Sequence, residues 1–352
     1  MNRTTKYNSE LIRIGISVKK LDFVIREILM SKGCSNEVST EVSEHLIHSD
    51  WSGVESHGSW RIIQYDNYYN TGYLKPHSTP ELIFNKRGAC IVDGHDGIGI
   101  PAMRIAAEYA TENCKKSGIS AVAVKNVGHT GRLGAFTEKA AQEDVLMIII
   151  GGGGRKDWRL VAPFGGSKAL MSTNPYSIGV PGGDRGPVVM DFATSAVAAG
   201  WIYGAKLAGA ELPENVLIDK SGNPTRNPQD YFDGGAILTA GGAKGYAMAV
   251  TAEMIAEAML GPVTTECNWL IITLDCSLYR EKSAMQKTAE EILTELRECP
   301  PIKGFEKVEI PGERERGQFK KNFNKPIQLP LKTWQEIEKI AQACNINTKT
   351  LN

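Results

Sequence analysis

The longest clean apolar run in the chain is VLMIII, Val145 to Ile150. It is far too short to cross a bilayer, but it fits a strand buried on both faces. ISAVAVKN, from Ile119, and WLIITL, from Trp269, have the same β-branched, apolar character. Helical spacing separates the first two strands: residues 133–142 read as a helix, and Pro101 can start another over 101–114. A short strand is expected near Ile91. Strands alternating with helices predict an α/β fold.

The flanks are different. Apolar residues Leu21, Val24, Ile25, Ile28 and Leu29 fall at helical spacing over 18–30, and a second helix is expected over 35–48, after the SKG break. A third would start with Ser56 as its N-cap and stop at the NTG of Asn70 to Gly72. After VLMIII come VAPFGG, STNPYSIGVPGG and PVVMDFATS, which read as Gly-rich loops. A small-residue helix over 194–203, an exposed polar excursion at DKSGNPTRNPQD and a helix in AKGYAMAVTAEMIAEAML follow. The tail reads as a charged helix over 283–297, an extended piece ending in IPGERERG, and an amphipathic helix over 333–344. We divide the chain into a helical N-terminal portion, 1–75, packed with the C-terminal helix of 331–352, and an α/β portion, 76–330, for cofactor and catalysis.

At 352 residues and 42% hydrophobic content there is material for a sizeable core. Lys+Arg and Asp+Glu balance at 40 each, with no basic run interleaved with aromatics, so nucleic acid is not an expected partner. The first residues, MNRTTKYNSELIRIG, lack the apolar stretch of a secretory signal, and a cytoplasmic location is expected. Seven scattered cysteines without a C-x-x-C suggest reduced thiols rather than disulfides or a zinc knuckle.

Two stretches carry candidate chemistry. In VESHGSWRIIQYDNYY, helical phasing would put His57, Arg61 and Tyr65 on one face. A guanidinium fork can take a substrate carboxylate and an imidazole can move a proton at a carbonyl oxygen; the alternative is a surface His and a solvated Arg. In KNVGHTGRLGAF, His129 sits in a Gly-rich turn between a strand and a helix, where α/β enzymes place chemistry, although a loop histidine bonded to backbone would look the same. Its glycines, Gly128, Gly131 and Gly134, do not make the Rossmann G-x-G-x-x-G, and there is no Walker A sequence. Glu41, Glu44, His45 and His48 could imitate a metal site, but histidines three apart are not the zincin spacing. A solvated helix face is the better reading, and no metal is expected. Asp191 with Thr194 and Ser195 could meet a phosphate or ribose at a helix start, Lys244 stands at another, and PGE at Pro311 to Glu313 is a tight turn with a carboxylate.

Taken in order, SHGSWR, DGHDGIG, GHTGRLGAF, VAPFGG, STNP, MDFATS, AKGY and IPGE resemble the malate/L-lactate dehydrogenase family that is unrelated to the Rossmann lactate and malate dehydrogenases. That family includes sulfolactate, ureidoglycolate, diketogulonate and piperideine-2-carboxylate enzymes. The resemblance runs from about Val18 to the PGE turn. It implies an α/β fold with a mixed sheet of non-Rossmann topology, helical portions at both ends, and a homodimer. It also implies NAD- or NADP-dependent hydride transfer at C2 of a 2-hydroxy, 2-oxo or cyclic 2-imino acid. By the same resemblance His57 or His129 exchanges the proton, and Ser56 and Arg61 hold the carboxylic acid substrate. The cofactor is cradled by Pro187, Val188, Val189, Met190, Asp191, Phe192 and Ala193, by Ala243 and Lys244, and by Gly312, Glu313 and Arg314. Two positions depart from the family: Thr130 stands where an aromatic often follows the histidine, and Gly151 to Gly154 replace a Thr-Asn pair. Both departures are expected to enlarge the pocket. Arg155, Lys156 and Arg159 beyond them are expected to face solvent. The competing reading is a dinucleotide-binding paralogue that has lost turnover and serves a non-enzymatic or regulatory role.

Overall fold

The computed structural model describes residues 12–85 and 88–348. The start of the N-terminal stretch read for a signal, residues 1–11, and the end of the expected C-terminal packing segment, 349–352, lie outside the described residues. The chain opens with strand β1 (Arg13–Ile16) and helices α1 (Val18–Ser31), α2 (Asn36–Trp51) and α3 (Arg61–Asn70). Next come β2 (Glu81–Phe84), β3 (Cys90–Gly97), α4 (Gly99–Ser117), β4 (Ile119–Val127), α5 (Leu133–Gln142) and β5 (Val145–Gly152). A hairpin, β6 (Pro175–Gly183) and β7 (Gly186–Ala193), is followed by α6 (Ala199–Ala208), β8 (Leu217–Ile218), β9 (Pro224–Thr225), α7 (Gln229–Phe232), β10 (Ala236–Ile237) and α8 (Ala243–Glu253). The chain ends with β11 (Cys267–Asp275), α9 (Lys282–Glu298), α10 (Glu313–Asn322), β12 (Ile327–Pro330) and α11 (Leu331–Ala343).

Seven strands form the main sheet in the order β2-β3-β4-β11-β5-β6-β7. Only β3 and β4 run parallel; every other neighbouring pair is antiparallel. The expected mixed sheet of non-Rossmann topology is therefore what the chain adopts. The three apolar runs of the sequence become its centre, with β11 inserted between β4 and β5. A strand with neighbours on both sides and covered faces has no room for alternating polar residues, hence the unbroken runs. Val122, Val124, Met147, Ile149 and Ile271 pack against Met103, Ala106 and Ala110 of α4 and Phe136 and Ala140 of α5.

A second core joins the two ends of the chain. Leu21, Val24, Ile25, Val42, Leu46, Ile62 and Tyr65 pack with Trp334, Ile337 and Ala341 of α11, while β1 pairs antiparallel with β12. A third core, with Val161, Ile202, Leu212, Leu217 and Ile237, lies under α6 and a three-stranded sheet ordered β10-β8-β9. Each fully buried leucine or isoleucine in such clusters contributes about 1.5–3 kcal/mol.

Four local expectations are corrected. The stretches STNPYSIGVPGG and PVVMDFATS are mainly the β6–β7 hairpin rather than loops. Their glycines serve packing: a Cβ on Gly179 of β6 would fall inside the backbone carbonyl of Thr137 in α5. The small-residue helix starts at Ala199, so Thr194 and Ser195 do not open it; Ser195 instead bridges to Thr239. The segment after IPG is not extended but helical, α10 starting at Glu313 directly after Gly312, whose φ is +91°.

Nor is Ser56 the N-cap of α3. Glu55–His57 form a separate 3-10 turn, Gly58 is extended, and α3 begins at Arg61. The carboxylate of Asp50 occupies the space a Cβ on Gly58 would need. It accepts the Ser59 N–H at 2.9 Å and the Ser59 hydroxyl, while the first N–H groups of α3 bond backbone carbonyls and no side chain caps the helix.

Filling the contact between α5 and β6 tests this packing. Gly179→Ala should destabilise the fold by about 1–3 kcal/mol, the usual range for overpacking. The readout is a lower urea midpoint; an unchanged midpoint would rule out so close an approach.

Candidate active site

His57, Arg61 and Tyr65 come together with His129, though not on one continuous helix face. The loop after β4 carries His129 beneath the 3-10 turn, and the two imidazoles stack with centroids 5.3 Å apart and planes at 24°. From α3, the fully buried Tyr65 places its hydroxyl 2.7 Å from His129 Nδ1. The Gly131 N–H also points to Nδ1, at 3.3 Å. On His57, Nδ1 lies 3.0 Å from the Ser56 hydroxyl.

Arg61 is held in a set pose. Its Nε donates to the Ser56 carbonyl at 2.7 Å and its Nη1 to Gln64 Oε1, while the Trp60 ring lies 4.6 Å from the guanidinium carbon. Burial, and then the Arg61 charge, hold both His57 and His129 well below the usual imidazole range. A proton placed on either ring is therefore readily given up.

Beside Arg61 stand residues that sequence reading did not select. Gln64 Nε2 donates to the Tyr68 hydroxyl, Tyr68 and Tyr73 pack at 4.8 Å, and Trp158 Nε1 donates to the Tyr73 hydroxyl at 2.7 Å. Glu266 lies just before β11, and burial raises its carboxyl to about 7 against the opposing pull of Arg61. A charged residue immediately preceding a buried strand was the only signal for it.

The expected enlargement at the glycines is not how this region packs. The Trp269 ring fills the side-chain space of Gly151, and the backbone of Ala252 that of Gly152. Val263 closes on Gly153 and the Glu266 carbonyl on Gly154. Thr130 is itself buried against Gly99. Arg155, Lys156 and Arg159 are exposed as expected, Arg155 pairing with Glu257 at 3.0 Å.

The expected solvated face of α2 also needs correction. His45 stacks on Phe136 at 5.3 Å and its Nε2 accepts the Arg132 N–H at 2.8 Å; His48 packs on Phe319 at 4.8 Å; Glu41 is bonded to Arg104. Among the described residues no group of three His, Cys, Asp or Glu is arranged to hold a metal ion.

The segments expected at the cofactor converge on β7, an edge strand of the sheet. Val189 donates its N–H to the Pro311 carbonyl at 3.1 Å, which docks the turn of Gly312, Glu313 and Arg314 against Pro187 to Val189. A Cβ on Gly312 would press on the Val189 backbone, so the turn needs its glycine. At the other end the Ala240 N–H bonds the Thr194 carbonyl at 2.8 Å and brings the start of α8, with Ala243 and exposed Lys244, beside Ala193. Between them Asp191 accepts the Gly134 N–H of α5 at 2.7 Å, and Met190 and Phe192 complete the strand, the latter 42% exposed. The edge strand, the glycine turn and the nearby cation of Lys244 fit a dinucleotide.

Known proteins share this fold. The profile of the malate/L-lactate dehydrogenase family matches residues 16–338. The L-sulfolactate dehydrogenase of Methanocaldococcus jannaschii is 28% identical over 337 residues, 92% of this chain and 95% of that protein. A Delta(1)-pyrroline-2-carboxylate/Delta(1)-piperideine-2-carboxylate reductase of Pseudomonas putida is 30% identical over 253 residues, 72% of each. A putative malate/lactate dehydrogenase structure from Escherichia coli superimposes with a TM-score of 0.87 at 27% identity, covering 96% of this chain and 97% of that one. Fold and relatives together define an oxidoreductase of the dehydrogenase and reductase class, for which a nicotinamide cofactor is implied. The chain belongs to the malate/L-lactate dehydrogenase family.

The histidines of α2 make a pH prediction. Burial, the larger cause, and Arg132 lower His45 to about 3 and His48 to about 4, from an ordinary 6.5. The unfolded chain therefore binds protons first as pH drops. Stability from keeping these rings neutral is complete above 6.5 and is lost as pH falls toward those values. Urea midpoints should decline from neutral pH into the acid range, and His45→Asn combined with His48→Asn should make the decline shallower. Equal slopes in the variant and the parent would exclude these histidines as the cause.

Proposed function

We propose that the protein interconverts a 2-oxo or cyclic 2-imino acid and the corresponding 2-hydroxy or 2-amino acid, using NADH or NADPH, with His129 as the proton-transfer group. The observation that carries the assignment is the buried 2.7 Å contact between Tyr65 and His129 Nδ1. A base oriented by a third group is the arrangement that proton-transfer chemistry requires. The Tyr65 hydroxyl can donate to a bare Nδ1 or accept from a protonated one, so it fixes the ring in both states.

Arg61 receives the substrate carboxylate, with Ser56 and His57 beside it. In the reducing direction the His129 imidazolium releases its Nε2 proton to the substrate oxygen or nitrogen; in the oxidising direction Nε2 takes that proton back. Its lowered affinity for a proton favours release. The nicotinamide, when bound, supplies or accepts the hydride at C2. Residues 187–193 with Ala243, Lys244, Gly312, Glu313 and Arg314 would hold the dinucleotide. Positioning the two reactants together is worth on the order of 7 kcal/mol or more.

The names of the relatives support substrates of this class, since they act on lactate-like, malate-like and cyclic imino acids. The resemblance supports a homodimer and the division at residue 75. No helix among the described residues is long and apolar enough to cross a membrane. The shared core of α1 to α3 with α11 also supports the division.

The test follows NADH and NADPH absorbance against a panel of 2-oxo and cyclic imino acids. His129→Ala should lower kcat by about 10²–10⁴-fold, with Arg61→Ala raising KM, while both variants still bind dinucleotide. Tyr65→Phe should lower kcat without changing KM for the dinucleotide. Wild-type turnover in both His129→Ala and Arg61→Ala would overturn the assignment, and tight NAD(P)H binding without turnover of any acid would favour the non-enzymatic reading.

A further inference from the structure

Glu266 is the one carboxylate that acts electrostatically on Arg61 among the described residues, and the mechanism above does not use it. Arg61 donates to Gln64 and Gln64 to the Tyr68 hydroxyl, and Tyr68 with Arg61 favours the ionised form of the Glu266 carboxyl against its burial. Glu266 Oε1 is buried and has no hydrogen-bond partner among the described residues. A buried acceptor without a donor is costly, the more so when it is charged. Its backbone carbonyl closes on Gly154, so the segment has little freedom to swing the carboxylate away. The adjoining Gly153 faces a second such oxygen, Glu257 Oε2, also buried and unpartnered.

Charge decides what such a site takes. Above about pH 7, where Glu266 is ionised, its charge and that of Arg61 cancel before substrate enters. A monocarboxylate then brings one unbalanced negative charge, a dicarboxylate brings two, and a carboxylate carrying a protonated nitrogen brings none. Like charges brought together in a desolvated site repel strongly, so the difference is large enough to select substrates.

We propose that Glu266 is a specificity-determining residue: with Arg61 on the carboxylate, its unpartnered oxygen receives the protonated nitrogen of a 2-imino or 2-amino acid and disfavours a substrate with a second anionic group. This rests on the function proposed above and narrows its substrate class. Glu266 takes no part in proton or hydride transfer.

Glu266→Gln keeps the volume and removes the charge. The reduction of Δ1-piperideine-2-carboxylate, pyruvate and oxaloacetate would be compared in the wild type and this variant, with titration calorimetry of L-pipecolate and L-malate beside it. The wild type should prefer the imino acid, and the variant should lose about tenfold or more of that preference while keeping pyruvate turnover and gaining on oxaloacetate. An unchanged preference overturns the proposal. So does an equal fall on all three substrates, which would mean that Glu266 merely positions Arg61. If the wild type reduces none of the acids, the proposed function fails; the ratio of L-pipecolate to L-malate affinity in the two proteins then still decides the role of Glu266, a shift supporting it and a constant ratio overturning it.

Discussion

The hydrogen bond from the Tyr65 hydroxyl to His129 Nδ1 crosses between the two main cores of the molecule. Tyr65 is anchored in the helical core shared by the ends of the chain, and His129 in the loop leaving the central sheet. The orientation of the imidazole thus depends on how these layers dock. Asp50 supports the same junction from the helical side: by taking the place of a Cβ at Gly58 and bonding Ser59, it breaks the helix so that His57 can stack on His129. A continuous helix through residues 56–70 would have carried His57 and Arg61 in fixed angular register; the break lets the imidazole and the guanidinium approach from different elements.

Much of the fold was legible because long elements carry their own period. Helix α5 begins and ends where its spacing predicts, and the three apolar runs are the three central strands. Failures occur where tertiary contact sets the residue type. Glycines in β6 look like turn punctuation, but Gly179 is there to let α5 approach and Gly182 to clear the backbone of Gly186. β1 and β12 pair Ile16 with Ile327, and four residues at either end of a chain cannot announce a partner so distant. The ERERG segment is polar on every side and has no apolar stripe to reveal a helix, yet it forms α10 where Phe319 reaches Trp51 and His48 of α2.

The candidate site divides in the same way. His57, Arg61 and His129 lie in short motifs whose residue types advertise chemistry, and the structure assembles them. The segments expected at the cofactor, remote in sequence, meet because β7 is an edge strand with a turn docked at one end and a helix start at the other. Trp158 and Glu266 were invisible. Neither belongs to a motif, and only the insertion of β11 beside β5 brings the Glu266 carbonyl against Gly154. The glycine run that looked like lost side chains is the floor on which Trp269 and its neighbours rest.

Closing the helical core with α11 and β12 also has a consequence for synthesis. The apolar faces of α1 to α3 leave the ribosome well before Trp334 and Ile337, which cover them. At about 5–20 residues per second, those faces wait on the order of 15–60 s for their cover. During that interval the nascent chain presents a hydrophobic surface with no native partner, and a truncated product lacking the last helix would keep it permanently. The protein is therefore most vulnerable in that interval, and protection of an exposed amphipathic helix pair is what a chaperone would have to provide.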